Sequence, residues 1–236
     1  MRIVRSYFKG WNWFEIALLT LGIVLPLAVG IPLQSDGLQI ATVMIWLTAV
    51  LLYAKAKPES YIFDIVATTL YIIVAFQASL FGEFIVQAFI AMPLMLYGMV
   101  NWLRNLRKDK KYGTVVKIKK VTVREVIIVF ASQMIMSVGY FFLLGAFDTV
   151  FLWVSTAAVS VGVFAMYFMA RRSIVSLFGF IALDLLQIAL WILIVASGAA
   201  SSAVMIVLPF MLLVNDIYGI FSWNKLTDNQ ESSAKS

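Results

Sequence analysis

In the apolar run near residues 174–196, three residues could meet a ligand together: Asp184, Gln187 and Trp191. At spacings i, i+3 and i+7 they share one face of a helix. A carboxylate, an amide and an indole on one face suit a flat, polar ligand that can carry positive charge. An ionised carboxylate at mid-membrane depth costs roughly 3 kcal/mol or more unless it is paired or hydrated. The competing reading makes Asp184 a protonated or helix-linking group. Asn215, Tyr218 and Ser222 share a second face. Asp216 falls off that face, in line with Trp223, and is expected near the surface or in a structural role, at a different depth from Asp184. That separation argues against an acid–base pair. Earlier in the chain Gln87, Asn101 and Gln133 are lone amides in apolar surroundings, each able to touch a ligand or to bond across to a neighbouring helix. Asp64, Thr68 and Tyr71 line the face corresponding to the one that bears Asp184, and Asp64 is expected to pair with Lys55 or Lys57.

The elements that position these groups must be membrane spans. The chain has 236 residues and is 63% hydrophobic and 13% charged, whereas a soluble domain is about half apolar and about a quarter charged. Apolar runs fall near 14–33, 38–54, 61–79, 82–103, 124–145, 148–170, 174–196 and 200–223, and a helix needs ~20 residues to cross a bilayer. The basic start (Arg2, Arg5, Lys9) resembles that of a signal peptide, but the first run is longer than a signal's apolar core and is read as a retained helix. The expected fold class is all-α and polytopic, with eight transmembrane helices in one membrane domain over 1–226 and a disordered polar tail over 227–236. Pro93 and Pro209 lie well within their spans and are candidate hinges. There is no cysteine and no histidine, which excludes disulfides, most zinc, haem and iron–sulfur ligation, and the commonest general base. A nucleophile elbow and a nucleotide-binding glycine loop are also missing. Neither an enzyme nor a metal or cofactor site is expected.

Orientation follows from charge. With a cytoplasmic amino terminus, all 18 Lys and Arg residues lie at the two ends or in the connections near 55–60, 104–124 and 171–173. The opposite connections hold none of them and carry Asp36, Glu83 and Asp148. The positive-inside rule predicts this bias, so both termini are expected in the cytoplasm. The net charge of +6 is thereby sorted by membrane side, and no nucleic-acid partner is expected. The basic residues from Arg104 to Arg124 either fix topology or attract anionic lipid.

Tyr97-Gly98-Met99-Val100-Asn101-Trp102 and Tyr218-Gly219-Ile220-Phe221-Ser222-Trp223 each close a long apolar run. Such self-similarity fixes architecture. Four spans separate the copies, so the two halves cross the membrane in the same sense. Glu15 at the start of the first span echoes Glu125 at the start of the fifth, and Lys57 echoes Arg171-Arg172. The paired tryptophans and tyrosines either form an aromatic belt or stack on a flat aromatic ligand. Duplication, buried polar residues and ring-rich helix ends together fit a small-molecule carrier, whereas a scaffold has no use for a mid-membrane Asp184.

The chain resembles the PnuC family of vitamin transporters, typified by nicotinamide riboside uptake proteins, with thiamine and riboflavin relatives. The resemblance covers about residues 11–226. It is carried by Trp13-Phe14-Glu15, by Phe81-Gly82-Glu83 through Tyr97-Gly98 and Asn101-Trp102, and by Asp148 through Ala170-Arg171-Arg172. Leu183-Asp184 and Asn215-Asp216-Ile217-Tyr218-Gly219 with Ser222-Trp223 complete it. It implies a SWEET-like 3+1+3 core of two parallel three-helix repeats: an extra amino-terminal helix (14–33), a first repeat (38–103), a linker helix (124–145) and a second repeat (148–223). It also implies a homotrimer in the cell membrane and a vitamin or nucleoside-like substrate bound between the halves. Uptake would be facilitated, without direct energy coupling, and the substrate trapped inside by phosphorylation. Gln87 matches a polar position of the family. The expected substrate-binding residues are Asp184, Asn215, Gln187, Gln87, Asn101, Tyr97, Tyr218, Trp102 and Trp223. Nicotinamide riboside, a pyridinium carrying a ribose, fits them; thiamine, riboflavin or a nucleoside is the alternative cargo, and proton coupling through Asp184 the alternative mechanism. Where family members often have two tryptophans in the seventh span, this chain has Ser176-Leu177-Phe178-Gly179-Phe180.

Overall fold

The computed structural model describes residues 11–32, 36–77, 81–109, 113–197 and 204–235. The basic start at Arg2, Arg5 and Lys9, the first residues of the expected eighth span and the side chain of Glu83 lie outside the described set. The chain forms α1 (Trp13–Gly30), α2 (Gly37–Ala54) and α3 (Ser60–Gln77). A short α4 (Phe81–Val86) then runs through a π turn (Gln87–Ala91) into α5 (Met92–Leu103). Next come strands β1 (Leu106–Asp109) and β2 (Gly113–Val116), then α6 (Val123–Gly145), α7 (Leu152–Ala170), α8 (Val175–Ala196) and α9 (Val204–Lys235). Among the described residues, seven segments are long and apolar enough to cross a membrane, Phe84–Leu103 counting as one of them.

Local chemistry explains the element ends. Asn12 and Glu15 form a reciprocal capping box at the start of α1, and Thr122 accepts from Glu125 N at 3.2 Å at the start of α6. The π turn interrupts what the sequence reads as one unbroken span over 82–103. Pro93 supplies no N–H, and its ring crowds the carbonyl four residues earlier; the wider turn, in which Met92 N donates to Gln87 O, relieves that crowding.

Six segments close a ring. α2 packs on α3, α3 on α5, α5 on α7, α7 on α8, α8 on α9, and α9 returns to α2. Outside it, α1 lies against α2 and α9, and α6 against α7. The ring is tied at two related points. Trp102 Nε1 donates to Met169 O at 2.8 Å, and Trp223 Nε1 donates to Tyr53 O at 2.9 Å. Each hexapeptide tryptophan thus links the last helix of its own half to the first helix of the other. A shift of 116 residues relates Tyr53 to Met169 and Ala56 to Arg172, and the latter two both take left-handed backbone angles, φ 52° and 62°. Gly98 abuts Tyr61 and Gly219 abuts Leu177, the glycines 121 and their neighbours 116 residues apart; a side chain at Gly98 would collide with the Tyr61 ring. Glu15 pairs with Lys55, and Glu125 pairs with Arg171. The correspondence therefore reaches α1 and α6 as well as the ring.

Helices dominate as expected, and two features correct finer expectations, those of a plain loop over 104–124 and of a loose tail. The basic segment 104–124 contains the antiparallel β1–β2 hairpin, with Val115 and Val116 fully buried in one apolar cluster with Trp102 and Trp223. Thr114-Val115-Val116 favours a strand, but the surrounding lysines gave the segment the look of a plain loop. Val116 N donates to Ala56 O and Lys119 N to Arg172 O, both at 2.9 Å, so this segment bridges the two left-handed corners. Lys57 donates to Thr114 O at 3.3 Å, and burial pushes its ammonium below the ordinary lysine value. The second correction concerns 227–236: α9 continues as helix to Lys235. Leu226 is buried, and Gln230 donates to Val116 O and accepts from Ile118 N, both at 3.1 Å. One apolar contact and one amide bonded through both its nitrogen and its oxygen dock a segment whose composition is otherwise polar.

Candidate functional site

Gln87 opens the π turn and Gln187 lies midway along α8. Both line a cavity of about 80 Å³ between the π turn, α7 and α8, at the junction of the two halves. Ser155, Gly162 and Met166 of α7 complete much of its wall. Gln87 Oε1 is buried and has no hydrogen-bond partner among the described residues, an unusual state for an amide oxygen in an apolar setting. A Cβ at Gly162 would stand 3.5 Å from Leu183, an ordinary contact. Helix packing therefore does not require glycine there, and its missing side chain leaves space. The same 116-residue shift relates Gly162 to Trp46 and Gln187 to Tyr71, whose rings lie 5.6 Å apart. Two large rings occupy in the first half what a glycine and an amide leave open in the second.

Asp184 is 3% exposed, and its carboxyl meets that of Asp216, itself 5% exposed. This corrects the expectation that the two lie at different depths with Asp216 turned to the surface. Asp216 is aligned with Trp223, but Trp223 is fully buried, so that face of α9 is a core face. Because α8 and α9 run in opposite directions, the depths also match. Asp184 is nine residues beyond Val175 and Asp216 seven before Trp223, ~13 and ~10 Å from the same end at 1.5 Å per residue. Asn215 Nδ2 donates to Val50 O at 3.1 Å, tying α9 to α2 across the halves.

The remaining expected residues are engaged at the basic end. Asn101 donates to Ala170 O at 2.6 Å, and Tyr218 donates to Glu15 at 2.6 Å while accepting from Asn12. Trp102 and Trp223 have ring centroids 5.9 Å apart, and Trp102 also packs edge-on against Tyr53 and Tyr61. Tyr97 is half exposed. Asp64 accepts from Tyr53 at 2.8 Å, whereas Lys55 sits 2.5 Å from Glu15. The structure thus brings Gln87 to Gln187 and Asp184 to Asp216, and places the two hexapeptide tryptophans together with Tyr53 and Tyr61 in a buried aromatic plug at the basic end. Gly162, Trp46 and the Asp216 contact escape sequence reading. Laying Tyr53-Ala54-Lys55 on Met169-Ala170-Arg171 gives the register that exposes the first two.

Comparison with known proteins follows this geometry. The family model described as nicotinamide mononucleotide transporter matches residues 36–225. The chain is 24% identical over 223 residues to a nicotinamide riboside transporter PnuC of Neisseria mucosa, covering 94% of this chain and 85% of that one. It is 23% identical over 228 residues to the protein of the same name from Haemophilus influenzae, covering 95% and 96%. Its fold matches a crystal structure of the vitamin B3 transporter PnuC with a TM-score of 0.82 at 22% identity, over 94% of this chain and 97% of that one. With the matched region spanning most of the ring and the overlap with these relatives nearly end to end, the chain belongs to the PnuC family that the nicotinamide mononucleotide transporter model describes.

Proposed function

We propose that this protein carries nicotinamide riboside across the cell membrane by facilitated diffusion with alternating access. The observation that carries this reading is that Gln87 and Gln187, one from each half, line a single cavity at the junction of the halves. Two amides can donate to and accept from a carboxamide and ribose hydroxyls. Pockets for drug-sized ligands are roughly 300–1,000 Å³, so a cavity of about 80 Å³ belongs to a contracted state that widens around its cargo. The Trp102–Trp223 plug, with Tyr53 and Tyr61, closes the basic end. Release on that side requires the two tryptophan N–H bonds to part, with Pro93 beside the π turn and Pro209 within α9 as the flexing points.

The topology belongs to the same proposal. Seven spans plus the apolar first part of α9 make eight, and the contact ring supports a 3+1+3 core, with α1 outside it and α6 as linker. The one-sided basic residues support cytoplasmic termini. A homotrimer and trapping by intracellular phosphorylation rest on the family resemblance.

Calorimetric titration of the purified protein with nicotinamide riboside, thiamine, riboflavin and a nucleoside tests the reading. Nicotinamide riboside should bind, and Gln87→Ala and Gln187→Ala should each weaken it about tenfold, the worth of one hydrogen bond. Binding of a different member of the panel would replace the cargo, and no binding by any would leave a scaffold. Uptake into proteoliposomes should follow the substrate gradient with no imposed proton or sodium gradient.

A further inference from the structure

Asp184, Asp216 and Asn215 gather five side-chain oxygens at the α8–α9 interface, and none of the three residues is more than 5% exposed. Donors are scarce there. Asn215 Nδ2 is directed to Val50 O at 3.1 Å and lies 3.5 Å from Asp216 Oδ1. No donor among the described residues reaches Asp184 Oδ2 or Asn215 Oδ1. The ionisable groups on the elements packed against α8 and α9 are committed elsewhere. Glu15 of α1 holds Lys55, just past α2, at 2.5 Å, and Tyr53 of α2 donates to Asp64 of α3. Tyr167 of α7, and Arg171 just past it, both bond Glu125. On α9, Tyr218 donates to Glu15, and Lys225, Asp228 and Glu231 lie beyond Trp223 at the basic end. Among the described residues, the two carboxyls face each other and Asn215.

Two buried carboxyl groups in contact, with no cation beside them among the described residues, need a positive charge between them. The first half shows that the frame itself does not demand this. Shifts of 116 and 121 residues relate Asp184 to Thr68 and Asp216 to Met95, and there a neutral hydroxyl donates to a thioether, Thr68 Oγ1 to Met95 Sδ at 3.6 Å. We propose that Asp184, Asp216 and Asn215 hold one monovalent cation, Na⁺ or a proton, within the second half. Carboxyl and amide oxygens are hard donors suited to either. The cation stays with α8 and α9 rather than travelling with the cargo. It fixes α9 where Asn215 reaches Val50 on α2, so its occupancy bears on the contact between the halves.

Thermal unfolding of the purified full chain, in NaCl against choline chloride at equal ionic strength and fixed pH, tests this. A pH series in choline chloride follows. If Na⁺ is the cation, the midpoint rises saturably with NaCl, by about 5 °C. If a proton is the cation, NaCl has no specific effect and the midpoint falls as pH rises from neutral to alkaline, because the proton shared by the two carboxyls is lost and leaves two like charges in contact. Asp184→Thr combined with Asp216→Met installs the first half's neutral pair and should abolish whichever dependence the parent shows. Asp184→Asn, which supplies an amide donor to Asp216, provides a second folded variant and should abolish it too. A parent protein indifferent to both Na⁺ and pH overturns the proposal, as does either variant keeping the parent's dependence.

Discussion

The two halves share their tie points and differ inside. At the ties, Trp102 and Trp223 donate to the other half's backbone at 2.8 and 2.9 Å, and Ala56 and Arg172 turn through the same left-handed corner. Inside, the first half places the Trp46–Tyr71 rings and the Thr68–Met95 contact where the second places Gly162 beside Gln187 and Asp184 against Asp216. At these matched positions the first half is filled and neutral, whereas the second has space and carboxyl groups. Bonds to backbone carbonyls hold a duplicated frame regardless of the side chains behind them. The interior of each half is consequently open to divergence.

The ion pairs that brace the two halves should differ most in energy. Glu15 and Lys55 are 2.5 Å apart with side chains only 3% and 4% exposed, and Glu15 also accepts from Tyr218 at 2.6 Å. Glu125 and Arg171 are 2.8 Å apart but 21% and 25% exposed. Removing one partner of a buried pair strands the other charge, so Glu15→Ala should cost about 3–5 kcal/mol. Glu125→Ala should cost about 0–1 kcal/mol, as water and salt replace much of the pairing. Denaturant unfolding of the two variants in one detergent compares them directly. Equal losses would mean that the first half's greater burial does not set the strength of its brace.

The cavity offers a sharper contrast. Gly162→Trp copies the first half's Trp46 into the second, where a Cβ already has room. Binding of nicotinamide riboside should fall at least a hundredfold, about 2.7 kcal/mol, while the unfolding midpoint stays near that of the parent. Calorimetry and thermal unfolding on the same preparation read both. Undiminished binding by a folded Gly162→Trp protein would move the substrate site elsewhere.

Much of the frame was legible in the sequence, because a helix crossing lipid needs ~20 apolar residues and seven of the expected runs hold a segment that long and apolar among the described residues. The amides Gln87 and Gln187 were legible as candidates for a related reason: an amide in apolar surroundings needs partners. What apolar sequence hides is which side of a helix meets protein and which meets lipid. Tyr97 and Trp102 come from one motif, yet Tyr97 is 50% exposed and Trp102 is fully buried. Spacing within α9 likewise gives the face of Asp216 but not the neighbouring helix it meets, so its contact with Asp184 could not be read from periodicity. The hairpin was obscured by its lysines, and the helical tail by its polarity; both depend on contacts with distant residues, such as Gln230 with Val116.

The smallest expected effect tests the shared part of the comparison. Trp102→Phe and Trp223→Phe each remove one N–H donor and leave a helix-end carbonyl, Met169 O or Tyr53 O, without it. Each should cost about 1 kcal/mol, near the worth of an interhelical hydrogen bond in a membrane. If the ties are energetically equivalent, the two losses match. Their surroundings differ, however: Tyr53 also packs edge-on against Tyr61 and Trp102, whereas Met169 Sδ accepts only a weak bond from Ser176 at 3.8 Å. The rings of Trp102 and Trp223 are also neighbours, 5.9 Å apart, so the double variant should depart from the sum of the singles. Matched single losses with a non-additive double would show two equivalent ties working through one plug. A larger loss at Trp223 would show that the aromatic packing around Tyr53, absent from the related position, has made the first half's end the stiffer of the two.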